Sequence, residues 1–456
     1  METKTAELSI EDFCARGYGL AQLDRSPIEV AHAIPGDRVK VEVNRRSRRV
    51  KKGRLLELLS PSSDRVSPRC AHASMCGGCC WQSMNYDAQT AHKQAYILRA
   101  FGDLIDANIE ILPMISCAEP WNYRNKMEFS FSQNRAGMKY LGLMIAHAEP
   151  YVFNLDSCHI APPWMSECLS RVRAWWEQSG VMAYYPPQDS GSLRYLTLRE
   201  AVRSGQKMAI LNISGQAEFA IPEEQVQRFN EAVGSGIGVF LRTHQICKGV
   251  PTRFVERHLS GPEFIVEKMH LTHGDLEFKI SPASFFQPHT IQAEKLYDAA
   301  VSMLDGERLV YDLYCGTGTL GMAASRSVLE VIGIEMNPEA VKDAEENARR
   351  NHLSNIRFVQ GDAGAVMTRL LSQSDCARPD AVIVDPPRAG LDSLTLHHLQ
   401  TLRPKKIIYV SCNPVTQADN IRKLVGSGYA IQRLQAVDQF PHTAHIENIA
   451  LLTRVN

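Results

Sequence analysis

Apolar and polar residues alternate with a period of two along RVKVEV, residues 38–43. The alternation places Val39, Val41 and Val43 on one face and predicts a half-buried strand. Turn-forming GYG at 17–19 and PGD at 35–37 punctuate the short runs around it, so residues 1–60 predict a small β-barrel. Further on, MEFSF (127–131), LRYLTL (193–198) and IGVFLR (237–242) predict strands, while 164–177 and 222–232 predict helices. Residues 61–280 therefore read as an α+β middle part. From 281 to 456 the pattern becomes regular, with apolar runs near 308–314, 329–334, 356–360, 381–384 and 406–410 separated by helical segments. This is the signature of an α/β, doubly wound parallel sheet. In the helix expected over 338–350, Asn337 is the cap and Pro338 fills the first turn. Val341, Ala344 and Ala348 form the inner face, and the pairs Glu345–Arg349 and Glu346–Arg350 brace the outside.

Composition narrows the class. At 456 residues and 44% hydrophobic content the chain can bury two or three cores. The first residues carry acids and no apolar leader, and no run is long enough to cross a bilayer, so a cytoplasmic protein without membrane attachment is expected. Twelve cysteines in such a chain argue for reduced thiols, metal ligands or catalysis rather than a disulfide frame. Fifty basic and fifty acidic residues leave no global field to attract a polyanion. Locally, NRRSRRVKKGR (44–54) holds seven basic residues and no acid, and Arg45, Arg46, Arg48 and Arg49 form a ridge suited to a phosphate backbone. A barrel carrying a basic loop is a nucleic-acid platform, and RNA is the expected partner; no obligate protein partner is indicated.

The chemistry concentrates at the strand ends of the last part. DLYCGTGTLG, residues 312–321, fits G-x-G-x-x-G with Gly316, Gly318 and Gly321, followed by Thr319 in the helix start. The next strands end in Glu335, Asp362, Asp385 (in DPPRAG) and Cys412 (in SCNP), and with Asp312 they put an acid or a thiol at five successive strand ends. Packing alone gives no reason for that recurrence. Glu335 suits ribose hydroxyls of either a nicotinamide or an S-adenosylmethionine, and Asp362 stands where an adenine amino group can be read.

Taken together, DLYCGTG, DPPR, SCNP and PHTAHIE resemble the S-adenosylmethionine-dependent RNA uracil-C5 methyltransferases. The closer likeness is to the branch that acts on 23S ribosomal RNA and carries an N-terminal TRAM barrel of OB-like shape. The resemblance implies a Rossmann-like methyltransferase domain over 281–456, a TRAM-like barrel over 1–60 and a central α+β domain over 61–280. It implies Cys412 as the nucleophile that adds to C6 of uracil and Glu447 as the base that removes the C5 proton, with His442 and His445 as orienting groups. A helix start after Pro414 is expected to favour the thiolate of Cys412. Gln287, Tyr314, Glu335 and Asp385 match cofactor positions; Asp312, Gly316, Gly318, Thr319 and Asp362 join them from the strand-end reading. Where relatives carry Asn, two residues after Gln287, this chain has His289. Phe285 and Phe286 are expected to fill core rather than to stack on a flipped base. Arg124 and Lys126, in YRNKMEF, are candidate RNA contacts.

Cys70, Cys76 and Cys79 have the spacing C-x5-C-x2-C, which serves zinc and iron-sulfur equally. The resemblance adds Cys158 and implies a 4Fe-4S cluster, with Cys80 as a one-residue register alternative and His72 and His159 as weaker candidates. Two rivals belong to other classes. A nicotinamide-linked iron-sulfur oxidoreductase uses the glycines and cysteines but leaves DPPR, SCNP and Glu447 idle, and a non-catalytic RNA-binding protein leaves its RNA unmodified. Within methyltransferases, transfer RNA is the alternative substrate, and an enzyme acting on an exocyclic amine needs no thiol.

Overall fold

The computed structural model describes residues 4–44, 50–148, 150–246, 249, 252–372 and 378–455. The four arginines of the basic ridge, Arg45, Arg46, Arg48 and Arg49, lie outside them. At the N-terminus six strands form one barrel-like sheet in the order Lys4–Ser9, Arg38–Asn44, Lys51–Ser60, Ser26–Val30, Gly19–Leu23 and Asp12–Phe13. Val39, Val41 and Val43 point inward with Ile28 and Val30, as the period-two pattern requires. Of the described basic residues in that loop region, Lys51 donates to Leu23 O at 3.1 Å and Arg54 pairs with Glu42 at 2.7 Å.

A seven-stranded sheet follows, in the order Val152–Asn154, Lys139–Met144, Lys126–Gln133, Leu193–Glu200, Lys207–Ser214, Ile237–Gln245 and Arg253–Ser260. Helices Pro163–Gln178 and Glu223–Val233 cover it, burying Leu169, Trp176 and Phe229 against Phe129 and Leu211.

The third layer holds eight strands in the order Ile356–Gln360, Glu330–Glu335, Leu309–Leu313, Ala381–Val384, Lys406–Ser411, Glu447–Arg454, Tyr429–Val437 and Glu110–Ile115. Its first five strands are parallel and Glu447–Arg454 runs antiparallel to both neighbours. Alternate residues feed opposite cores: Val310, Ile383 and Ile408 face one side, and Tyr311, Val382, Val384 and Tyr409 the other. That two-sided burial is why these strands read as unbroken apolar runs.

Two segments from the middle of the sequence join this layer. Strand Glu110–Ile115 pairs parallel with Tyr429–Val437, and helix Tyr86–Phe101 places Ile97 and Phe101 in the same core. The hairpin Ile265–Met269 and Leu276–Ile280 docks on helix Pro338–Arg350, where Asn347 and Asn351 accept from Lys279 N (2.7 Å) and Glu277 N (2.8 Å). That helix has the expected cap, Asn337 accepting from Glu339 N, and the expected buried Val341, Ala344 and Ala348. Its outer face differs from expectation. Glu346 bonds Arg349 one turn on at 2.8 Å, and Arg350 lies over the Phe264 ring, so the i,i+4 pairing gives way to i,i+3 pairing and a cation–π contact. Among the described residues no helix is long and apolar enough to cross a membrane.

Candidate active site

The carboxyl ends of the parallel strands open into a cavity of about 1120 Å³, whose opposite wall comes from the middle sheet and the cysteine-rich segment. The turn after Leu309–Leu313 forms its floor. Tyr314 has φ 62°, an uncommon left-handed geometry for an aromatic residue, and its hydroxyl is held by donation to Asp392 Oδ2 at 2.7 Å with Thr395 Oγ1 at 3.2 Å. Asp392 has a second task, capping helix Ser393–Leu402 through Leu394 N and Thr395 N. Gly316 N donates to Glu335 Oε2 at 3.0 Å, and Asn337 N to Glu335 Oε1 at 2.8 Å, so two backbone donors aim that carboxylate. A Cβ placed on Gly316 meets open space, leaving a cradle where a ligand can lie against the backbone. Asp362 caps helix Ala363–Leu371 through Ala365 N and also lines the cavity.

Gln287, Tyr314, Gly316, Glu335, Asp362 and Asp385 all line this cavity, and these residues suit an adenosine-bearing cofactor. Asp312, Gly318 and Thr319 are not among the lining residues. Gly318 is the left-handed cap of helix Thr319–Ser325, and Thr319 Oγ1 bonds the Tyr297 hydroxyl at 3.0 Å. Asp312 is sealed beneath the floor, where only a glycine at 321 leaves room: a Cβ there would sit 2.6 Å from Asp312 Oδ2. Burial, reinforced by the Asp385 charge, pushes the Asp312 carboxyl up to about 8, and Oδ2 has no hydrogen-bond partner. An acid whose folded value lies above its unfolded one takes up a proton on folding, so its stabilising contribution is complete at low pH and fades as pH rises toward 8. Relative to Asp312→Asn, the wild-type chain should lose about 1.4 kcal/mol per pH unit between about 4 and 8. Paired urea titrations at pH 5, 6.5 and 8 measure that slope; parallel curves would refute it.

The reactive end of the cavity lies one strand over. Strands Lys406–Ser411 and Glu447–Arg454 pair with Ser411 opposite Asn448, so continuing that register sets Cys412 opposite Glu447. Asn413 caps helix Pro414–Val425 through Val415 N, and its Nδ2 donates to Arg388 O at 2.9 Å, tying the SCNP turn to the DPPR turn. Arg388, quoted in the motif yet absent from the candidates read from sequence, lines the cavity. Its Nη2 donates to His445 Nδ1 at 2.9 Å. His445 is pushed down to about 4 by burial and the guanidinium, so it stays neutral and orients Arg388. His442 sits behind the wall, its ring tilted against Trp121 with centroids 4.0 Å apart and bonded to Gln89.

Glu447 is 5% exposed, and burial with the neighbouring Asp385 charge holds its carboxyl well above the usual range, while Arg388 pulls it back. Asp385 is itself raised to about 7 by burial. The Cys412 thiol goes up to about 11, first through burial, then through Glu447 and Asp385, with Arg388 opposing. This corrects the expectation that the helix start favours the thiolate, since two carboxylates and desolvation outweigh one helix end and one guanidinium. Phe286 fills core beside Phe278 as expected, but Phe285 is 66% exposed on the cavity wall, a correction to its reading as core. His289 does a capping job that an asparagine can do, its Nδ1 accepting from Gln292 N.

Arg124 and Lys126 line the same cavity, with Lys126 paired to Glu128 at 3.0 Å. So do Cys70, Cys76, Cys79 and Cys158, while Cys80 is buried and turned toward Gly17 and away from the cavity. Burial raises Cys76, Cys79 and Cys158, and mutual repulsion among the four thiols adds to it. Among the described residues no group of three or more His, Cys, Asp or Glu side chains is gathered to hold a metal ion. His72 Nε2 is engaged by Asp156 N at 3.2 Å.

Comparison with known proteins places this geometry. Residues 255–455 match the family model described as tRNA (Uracil-5-)-methyltransferase. A protein of Protochlamydia amoebophila, described as an uncharacterized RNA methyltransferase, is 42% identical across 93% of this chain and 100% of its own length. Another from Halalkalibacterium halodurans with the same description is 32% identical over 99% and 97%. The crystal structure of Pyrococcus abyssi tRNA (uracil-54, C5)-methyltransferase in complex with S-adenosyl-L-homocysteine superposes with a TM-score of 0.76 at 26% identity, covering 98% of this chain and 100% of that one. The chain therefore belongs to the S-adenosylmethionine-dependent RNA (uracil-5-)-methyltransferase family.

Proposed function

We propose that the chain methylates C5 of a uridine in RNA, with Cys412 as nucleophile and Glu447 as general base. The observation that carries this reading is the strand register that sets Cys412 opposite Glu447, beside Asp385 and Arg388, at one end of the cofactor cavity. C5 of uracil is a poor nucleophile. The Cys412 thiol gives its proton to water and Sγ bonds to C6; the π pair of the ring moves toward C5 and O4, and C5 becomes able to attack a methyl group. Bound S-adenosylmethionine supplies that methyl as an electrophile. Arg388, steadied by His445, offers positive charge beside the ring as the enolate develops. Glu447 then takes the C5 proton, and Cys412 leaves.

Gln287, Tyr314, Gly316, Glu335, Asp362 and Asp385 are the residues we assign to the cofactor. Asp392 positions Tyr314, so Asp392→Ala should cost about 1 kcal/mol of helix capping and weaken S-adenosylhomocysteine binding roughly tenfold. Calorimetric titration reads the affinity, and an unchanged Kd would remove Asp392 from this role.

Cys70, Cys76, Cys79 and Cys158 are assigned to a 4Fe-4S cluster. A single zinc would draw four sulfurs to about 4 Å of one another. A four-iron cluster bonds each cysteine to a different iron, and the four cysteines line one cavity. The N-terminal sheet, with its basic loop, is assigned to RNA docking together with Arg124 and Lys126.

For the substrate we propose 23S ribosomal RNA, on the combined presence of that sheet and the four cysteines. The second reading is transfer RNA, favoured by the activity printed for the Pyrococcus abyssi structure. Incubating the enzyme and S-adenosylmethionine with 23S ribosomal RNA and, separately, bulk transfer RNA, followed by nucleoside mass spectrometry, tests both. 5-Methyluridine in the first alone supports the proposal and in the second alone supports its rival; a methyl elsewhere than C5 refutes both.

A further inference from the structure

Helix Tyr86–Phe101 carries a lysine on its inner face, at a place where packing asks for an apolar side chain. Lys93 is 1% exposed and its ammonium lies 2.6 Å from Oδ1 of Asp438, which is 0% exposed. The same ammonium donates to Phe440 O at 3.0 Å. Asp438 is held from several sides: the Tyr86 hydroxyl donates to Oδ2 at 2.8 Å, Phe440 N to Oδ1 at 3.2 Å, and Gln292 Nε2 to its carbonyl at 3.0 Å. One helical turn before Lys93, Gln89 Oε1 accepts from His442 N at 2.8 Å. Trp81 N donates to His442 O at 3.0 Å, and the Tyr123 hydroxyl to Pro441 O at 2.9 Å.

Residues 438–442 are therefore gripped from behind by Gln292 and by elements more than 300 positions earlier in sequence, and the chain runs on through Thr443 and His445, on the cavity wall, to Glu447. Lys93, Asp438, Tyr86 and Gln89 are not among the residues that line the cavity. A buried ion pair is poorly explained by stability, because an apolar pair of similar volume serves as well or better. What such a pair does well is fix one geometry, since both charges must stay where they meet.

We infer that Lys93 and Asp438, completed by Tyr86, are positioning residues that hold the 438–446 segment so that Glu447 stands at the C5 proton of the uracil adduct. The inference rests on the reading of Glu447 as the base. In that step the Glu447 carboxylate takes the C5 proton, and the C5–H electron pair re-forms the C5–C6 double bond. The C6–S bond breaks with its electrons returning to Cys412. Addition and methyl transfer draw on Cys412, which sits on a different strand and is tied through Asn413 to Arg388. A loosened segment reaches Glu447 directly and Arg388 only through His445, so elimination should slow more than addition.

The test uses the full chain, S-adenosylmethionine and RNA tritiated at C5 of uridine, with three readouts: tritium release, covalent RNA–protein adduct on a denaturing gel, and S-adenosylhomocysteine binding by calorimetry. The paired exchange Lys93→Met with Asp438→Leu should leave binding unchanged, slow tritium release roughly a hundredfold and build up adduct. Tyr86→Phe should show the same pattern at roughly a fivefold slowing. Normal tritium release in both variants, or a loss of methyl transfer and tritium release together with no adduct, overturns the inference. Should the paired variant fail to bind S-adenosylhomocysteine, Tyr86→Phe decides alone: adduct supports the clamp and its absence refutes it. A wild-type enzyme that methylates C5 while a Glu447→Gln variant still releases tritium at the normal rate refutes the assignment of the base itself, a different failure from that of the clamp.

Discussion

Cys412→Ala should abolish methyl transfer and adduct formation together, lowering turnover by roughly 10⁴-fold or more. The expectation follows from the chemistry of the ring. Without sulfur at C6 there is no electron density at C5, and no neighbouring group replaces it, because a carboxylate such as Glu447 or Asp385 is a far weaker nucleophile toward carbon than a thiolate. Folding should be untouched, since Cys412 is half-buried and alanine fits its space, and S-adenosylhomocysteine should bind as before. RNA carrying 5-fluorouridine makes the test direct: fluorine cannot leave as a proton, so wild-type enzyme should stall as a covalent complex, and the alanine variant should form none. In the wild type the rate of that stalling should climb with pH between 7 and 9. The thiol lies above neutrality, and only its ionised fraction reacts, which grows about tenfold per pH unit below the thiol's own value. Full activity in Cys412→Ala would instead indicate methylation of an exocyclic amine.

The parts of this architecture that could be read from sequence are those whose physics is local. Strands Ile356–Gln360 and Ala381–Val384 have the expected bounds, because an apolar run between polar turns is all that a doubly buried strand needs. Helix Pro338–Arg350 also begins and ends where its cap and first-turn proline put it. What escaped was set by partners distant in the chain. Strand Glu110–Ile115 finds its neighbour more than 300 residues later, and nothing in EILPMI marks it as an edge of the last sheet rather than part of the middle. Phe285 and Phe286 are identical in type and adjacent, and their opposite fates are decided by the loop's path between Arg199, which donates to Ser284 O, and Asp343, which accepts from Ser281. The state of the Cys412 thiol differs from expectation for the same reason: the helix start beside it is visible in SCNP, whereas the two carboxylates that outweigh it arrive from other strands.

Glu447→Gln should behave differently from the cysteine variant, trapping a covalent complex with ordinary uridine in place of the fluorinated base. Glutamine matches the shape of the acid, and because burial and the Asp385 charge disfavour the charged form of Glu447, a neutral amide there should not destabilise the fold. Addition by Cys412 and methyl transfer need no proton acceptor at position 447. Removal of the C5 proton does, and losing a positioned base costs roughly 10²- to 10⁴-fold. The order of events favours Glu447 for that task. Proton removal comes last, after the Cys412 thiol has become a thioether, and Arg388, which favours the charged form of Glu447, stands beside it. A denaturing gel should therefore show methylated RNA bound to Glu447→Gln at close to one RNA per enzyme, with tritium retained at C5. Adding Cys412→Ala to the same chain should erase the complex. Release of tritium at the wild-type rate from Glu447→Gln would mean that another group removes the proton, and Asp385, the remaining carboxylate of the cluster, would be the residue to exchange next.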